Sequence, residues 1–170
     1  MNHLERFLQF ESLGLAALMT QRIQDISAHT PLFEDFTDDE LSRLGAFMPV
    51  YQAPVGAALI VEGETGDFMM LVIEGMVDIT RQDKWGNTKR IAVVTVGQTL
   101  GEMSMLDGEP RFASCTALEP TTFAVLDRAG LQSAAHAEPR LATKILMKLV
   151  LMMSQRLRQT SAKLVNYIEK

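Results

Sequence analysis

Apolar side chains recur every three or four positions near the start of the chain, at Leu4, Phe7, Leu8, Leu15, Leu18, Met19, Ile23 and Ile26. That spacing predicts an amphipathic helix over residues 2–27. His29-Thr30-Pro31 ends it, because proline disfavours helix in the residue before it. A second, short helix is predicted after Thr37. Its hydroxyl and Glu40, three places on, form a capping-box pattern leading into Leu41, Leu44 and Phe47. From residue 48 to residue 127 the texture changes to short runs of Val, Ile, Leu and Thr punctuated by glycine. Strands are predicted at 48–52, 58–62, 67–74, 76–81, 89–95, 112–118 and 121–127, with glycines at 56, 63, 66, 75, 86, 97, 101 and 108 in the turns. Many short strands at such spacing predict a closed barrel or jelly roll, the double-stranded β-helix.

Residues 128–136 read as a short helix, and Glu138 or Pro139 opens a long one running to about Ile168. Proline suits the first turn, where its missing N–H costs nothing. Within it, residues 145–153 read ILMKLVLMM, apolar on every face except at Lys148. A surface helix needs one apolar stripe, so a segment apolar all round must be covered on two sides. The barrel can supply one cover. A second copy of the same helix is the simplest other, which predicts a homodimer through residues 139–168 with Leu149 and Met153 in its seam. A wholly intramolecular core helix is the alternative, and one small barrel has limited surface to offer it. The expected class is α+β, mainly β: an N-terminal helix in 1–30, a barrel domain in 31–137 and a long C-terminal helix in 138–170.

Composition narrows the functional classes. With 170 residues, 47% hydrophobic and 22% charged, the chain is expected to form a single globular domain rather than a disordered one. Its one cysteine, Cys115, excludes a disulfide within the chain and a four-cysteine metal site. In the alternating segment 112–118 that thiol reads as a buried strand residue. His3, His29 and His136 lie on separate segments and form no metal-ligand spacing. The early apolar stretch around 13–19 is about a third of the roughly 20 residues that span a bilayer. With no secretory signal pattern either, the expectation is a cytoplasmic chain with no membrane insertion. Residues 1–138 carry 9 Lys/Arg and 20 Asp/Glu, whereas residues 139–170 carry 7 Lys/Arg and one acid. Seven basic residues over about eight helical turns make a diffuse patch. They read as a solvated face complementing the acidic body rather than as a nucleic-acid surface.

The chemistry is concentrated in residues 97–114, GQTLGEMSMLDGEPRFAS. A cyclic nucleotide monophosphate presents two charged exocyclic oxygens, which suit the planar, two-pronged donor of an arginine. Backbone N–H groups at a short helical turn add donors, the ribose 2′-hydroxyl wants a carboxylate acceptor, and glycine lets backbone approach the sugar. Gly101-Glu102, the turn Met103-Ser104-Met105-Leu106 and Arg111, nine residues after Glu102, offer these parts. The string resembles the phosphate-binding cassette of the cyclic-nucleotide-binding domain family, Gly-Glu, a small helix, then Pro-Arg-x-Ala-Ser/Thr, matched here by Gly101, Glu102, Pro110, Arg111, Ala113 and Ser114. The resemblance extends over about 135 residues. Residues 31–44 are similar to that family's leading helix, 62–79 to its central hairpin, and QRLRQTSAKL at 155–164 to the ligand-facing helix of its catabolite activator branch.

The resemblance implies that Glu102 accepts the ribose 2′-hydroxyl beside the Gly101 N–H. It implies that Arg111 holds the phosphate with the N–H groups of Ser104 and Phe112, Met103 and Ala113 being cassette neighbours, and that Thr160 and Ser161 meet the purine. One position departs: Phe112 stands where relatives carry a small or hydroxyl residue. Its ring could stack on the base, enter the core or narrow the pocket. The expected function is a sensor of a cyclic nucleotide, cyclic AMP first and cyclic GMP second, with no cofactor and an effector protein the sequence does not identify. The alternative is a degenerate member serving as a ligand-free interaction or dimerisation module. No helix-turn-helix follows before Lys170, so autonomous DNA binding is not expected. An enzyme is not expected either, because no acid–base pair or metal motif accompanies the pocket.

Overall fold

The alternating region folds as two antiparallel sheets. A computed structural model describes residues 6–27 and 30–168. Its strands are β1 (Glu11–Leu15), β2 (Pro49–Ala53), β3 (Ala58–Ile60), β4 (Phe68–Glu74), β5 (Val77–Gln82), β6 (Thr88–Val94), β7 (Thr99–Leu100), β8 (Ser114–Ala117) and β9 (Thr121–Asp127). One sheet has the order β1-β2-β9-β4-β7 and the other β3-β8-β5-β6, a jelly-roll sandwich. Helices α1 (Thr20–Ser27), α2 (Asp38–Gly45), α3 (Glu102–Asp107), α4 (Arg128–Ala137) and α5 (Pro139–Ile168) complete the fold.

Strand β4 shows why the two layers hold together. Successive side chains of a strand point to opposite faces. Met69, Leu71 and Ile73 join a core shared with the helices, while Phe68, Met70 and Val72 point into the barrel. Both faces are covered, so the strand is apolar throughout rather than alternating. Helix α2 begins as its capping box requires: the Thr37 hydroxyl accepts from the Glu40 N–H, and the Thr37 N–H donates to the Glu40 carboxylate at 2.9 Å.

The continuous helix expected over 2–27 does not form. In the described part of that stretch, residues 6 and 7 are helical, Glu11–Leu15 is a strand, Ala16–Met19 a 3₁₀ turn and Thr20–Ser27 an α-helix. The exposed edge of β2 decides this. It offers the 11–15 backbone antiparallel partners from Gln52 to Pro49, and Gly14, at φ +89°, absorbs the register shift. Leu4, His3 and His29 lie outside the described residues. The two-residue strand β7 has no alternation to betray it in the sequence.

Helix α5 is covered on one side by its own domain. Leu141, Ala142, Ile145 and Leu149 are buried in the helix-side core, whereas Met147, Val150, Leu151, Leu157 and Leu164 are exposed. Leu149 therefore faces inward rather than into a seam with a partner, and Met153 is half-buried. The basic face of α5 meets the acidic body. Lys144 donates to the Asp35 carbonyl at 2.5 Å and to the Glu40 carboxylate at 2.6 Å, and Lys148 pairs with the Asp35 carboxylate.

These pairings make a pH signature. The Lys148 hydrogen bond and charge hold Asp35 below its ordinary 3.8, and the Lys144 hydrogen bond, then that of the Thr37 N–H, holds Glu40 below 4.5. A depressed carboxyl pKa contributes stability that is present above the unfolded pKa and lost as pH falls through the folded one. The melting temperature is expected to fall between about pH 5 and pH 3, and the fall to be shallower in Lys144→Met/Lys148→Met. Identical pH profiles for the two proteins would count against the clamp.

Candidate functional site

The loop from β7 through α3 to β8 brings the cassette residues together around Arg111. The Arg111 side chain is only 4% exposed. Its Nη1 donates to the Gly101 carbonyl at 2.8 Å and its Nη2 to the Phe68 carbonyl at 2.9 Å, while the guanidinium lies 4.1 Å from the Phe68 ring centroid. Two glycines make the slot. A Cβ on Gly66 would stand 2.5 Å from Arg111 Nε and Nη2, and one on Gly101 2.7 Å from Nη1. The backbone is tied as well: the Arg111 N–H donates to the Glu64 carbonyl at 2.8 Å and its carbonyl accepts from the Gly63 N–H at 2.9 Å. Burial pushes the guanidinium below its ordinary pKa, opposed by Cys115, Asp67 and Glu102. A guanidinium has five N–H groups. Two are used by the two carbonyls, and among the described residues the remainder have no protein acceptor.

Glu102, at the first position of α3, is 2% exposed. Its carboxylate accepts from the Thr99 hydroxyl at 3.2 Å and from Arg156 of α5. Arg156 also reaches the Thr99 carbonyl at 3.3 Å, and half of its side chain remains in solvent. The sequence reading missed Arg156. A signal existed, since it stands four residues before Thr160 in the stretch read as facing the ligand, but nothing local says that its guanidinium meets a buried acid. Phe68 and Gly66 were missed for the same reason.

The other expected site residues divide. Ser104 and Ala113 are buried, Gly101 touches the guanidinium, and Met103 is exposed beside them. Phe112 is 52% exposed, its ring 3.8 Å beneath the Arg81 guanidinium, so it does not enter the core. Thr160 and Ser161 are exposed on α5, and no hydrogen bond joins them to the loop. Thr160 lies one turn beyond Arg156 on the same face of the helix, about 6 Å along its axis. Cys115 is buried beneath the site, and that burial pushes its thiol up to about 12. It is a protonated structural residue at neutral pH.

Comparison with known proteins places this geometry. Residues 52–138, half of the chain, match the family model described as the cyclic nucleotide-binding domain. The chain belongs to the cyclic nucleotide-binding domain family. This domain is similar to a solved cyclic nucleotide-binding domain from Methylobacillus flagellatus, with 35% identity, a TM-score of 0.82, and coverage of 93% of this chain and 89% of that one. A CRP-like cAMP-activated global transcriptional regulator of Mycobacterium tuberculosis is 26% identical over 146 residues, 86% of this chain and 63% of the regulator. The domain thus spans less than two thirds of that relative. Glutaminase 1 of Bradyrhizobium diazoefficiens is 28% identical over 136 residues, 80% of this chain but 21% of the glutaminase.

The Arg156–Glu102 pair has one buried and one half-exposed partner. Its loss therefore falls between the limits for exposed and buried pairs. Arg156→Ala is expected to cost about 1–2 kcal/mol, a melting shift of roughly 2–8 °C by calorimetry without nucleotide. Adding Glu102→Gln is expected to restore part of it, because a neutral amide needs no counter-ion. An unchanged melting temperature in Arg156→Ala would contradict the pair.

Proposed function

We propose that this domain is a non-enzymatic sensor of cyclic AMP in which Arg111 takes the cyclic phosphate and Glu102 the ribose 2′-hydroxyl. One observation carries the reading: a single loop holds a buried guanidinium with uncommitted N–H groups and a buried carboxylate, the donor and acceptor that one cyclic nucleotide needs. Because Arg156 already holds that carboxylate, ligand capture and the seating of α5 meet at one side chain. Thr160, one turn further along α5, is the base-facing residue in this reading, and Ser161 adjoins it. The intact, buried pair of Glu102 and Arg111 supports ligand binding over the ligand-free module, while the Phe112 ring stays out of the core beneath Arg81. Titration calorimetry tests the assignment. Arg111→Ala is expected to weaken cyclic AMP binding by about 3–5 kcal/mol and Glu102→Ala by about 1.5–3 kcal/mol. Cyclic AMP is expected to bind roughly 5- to 150-fold tighter than cyclic GMP, because Phe112 has no hydroxyl to offer a syn guanine. Wild-type affinity in Arg111→Ala would refute the site, and binding of neither nucleotide at millimolar concentration would favour the interaction module.

We also propose that the sensor works as a cytoplasmic homodimer. The outer side of α5 carries the exposed Met147, Val150, Leu157, Ser161 and Leu164 and the half-buried Ser154, alternately three and four residues apart in order. That spacing supports a seam between two copies of the helix, packed as in a two-stranded coiled coil. No helix among the described residues is long and apolar enough to cross a membrane. Leu157→Glu places an unpaired charge in the seam and is expected to yield monomers by light scattering while leaving the fold intact. A wild-type protein that stays monomeric at high micromolar concentration would exclude the dimer.

A further inference from the structure

The N-terminal segment reaches the site from outside the matched family region, and it does so with two side chains. Phe7 is 1% exposed. Its ring meets Phe68 edge-on at 4.9 Å and stacks on Tyr51 at 5.1 Å, within the aromatic group that includes Phe123. Phe68 is the residue whose ring and carbonyl both hold Arg111. Arg6 donates to the Glu64 carboxylate at 2.5 Å, and the Glu64 carbonyl accepts the Arg111 N–H. Between Arg6, Glu64, Phe68 and Arg111 the space left is about 10 Å³, room for a single water. The segment thus presses on both supports of the anion anchor, its aromatic floor and its backbone strut.

We propose that residues 6–10 form a docked plug in which Phe7 and Arg6 are positioning residues for Arg111, so that plug docking and nucleotide occupancy stabilise each other. The inference rests on the reading of Arg111 as the phosphate anchor. With the plug undocked, Phe68 loses its neighbour and the 63–66 loop loses its side-chain tie, and the guanidinium is no longer held in its slot. Linkage then demands reciprocity: if undocking weakens cyclic AMP by some factor, saturating cyclic AMP must favour docking by the same factor.

Two measurements on the full chain test this. In calorimetry, Phe7→Ala is expected to bind cyclic AMP at least about fivefold more weakly, the lower end of typical couplings, and Arg6→Gln is expected to weaken it in the same direction. In hydrogen exchange on the unmodified protein, saturating cyclic AMP is expected to slow the Gln9 and Phe10 amides, which donate within the plug to Arg6 and Phe7, by a similar factor. A purely structural plug would show no such ligand dependence. Should Phe7→Ala fail to fold, Arg6→Gln and the exchange measurement still decide. Wild-type affinity in the plug variants, with exchange at residues 9 and 10 unmoved by cyclic AMP, would overturn this inference while Arg111→Ala still weakens binding. If Arg111→Ala itself binds normally, or neither nucleotide binds, the sensor reading fails first and takes the plug with it.

Discussion

A guanidinium that stays charged has to be met on every side once it is buried, and Arg111 sets that requirement for the barrel. Its charge is not shed on burial as a lysine's can be, and an isolated charge in such a place is costly. Two carbonyls and a ring face meet part of the demand, and two glycines leave the space. Those partners come from the turn before β4, from β4 itself and from the residue before α3. The stretch 66–68 and Gly101, more than thirty residues on, are therefore drawn to one point. The N–H groups that remain are free to meet a further acceptor, and a charged hydrogen-bond partner is the stronger one.

Helix α5 links that point to the rest of the molecule. Its inner face supplies Leu141, Ile145 and Leu149 to the core, and its lysines answer the carboxylates of Asp35 and Glu40. Two turns further on, Arg156 extends past the packed part of the helix and reaches the buried Glu102. The anchored half of α5 is held by burial, which is non-directional. The outer half touches the body through a half-exposed ion pair, which is weaker and screened by salt.

Much of the architecture was legible in the chain. The glycine-punctuated strands, the capping box at Thr37 and the proline start of the long helix are local patterns, and each formed within a residue or two of where the pattern put it. The cassette residues were legible because the whole string of residues 97–114, not its acid and arginine alone, resembles the family pattern. The segment 2–27 misled for a physical reason. Its apolar spacing satisfies a helix, but β2 has an open edge, and pairing with that edge is invisible to any local period.

The sequence by itself determined which residues carry charge, which turns need glycine and which runs must be buried, because these follow from side-chain chemistry and short-range sterics. Tertiary structure alone decided which face of α5 meets the core, so that Leu149 points inward and Leu157 outward. It alone decided that Arg156 meets Glu102 across 54 residues of chain, that Phe112 turns out beneath Arg81, and that Phe7 seats against Phe68. Each of these contacts joins segments whose approach depends on how two sheets and a helix pack, and packing distances are not encoded in any one stretch of residues.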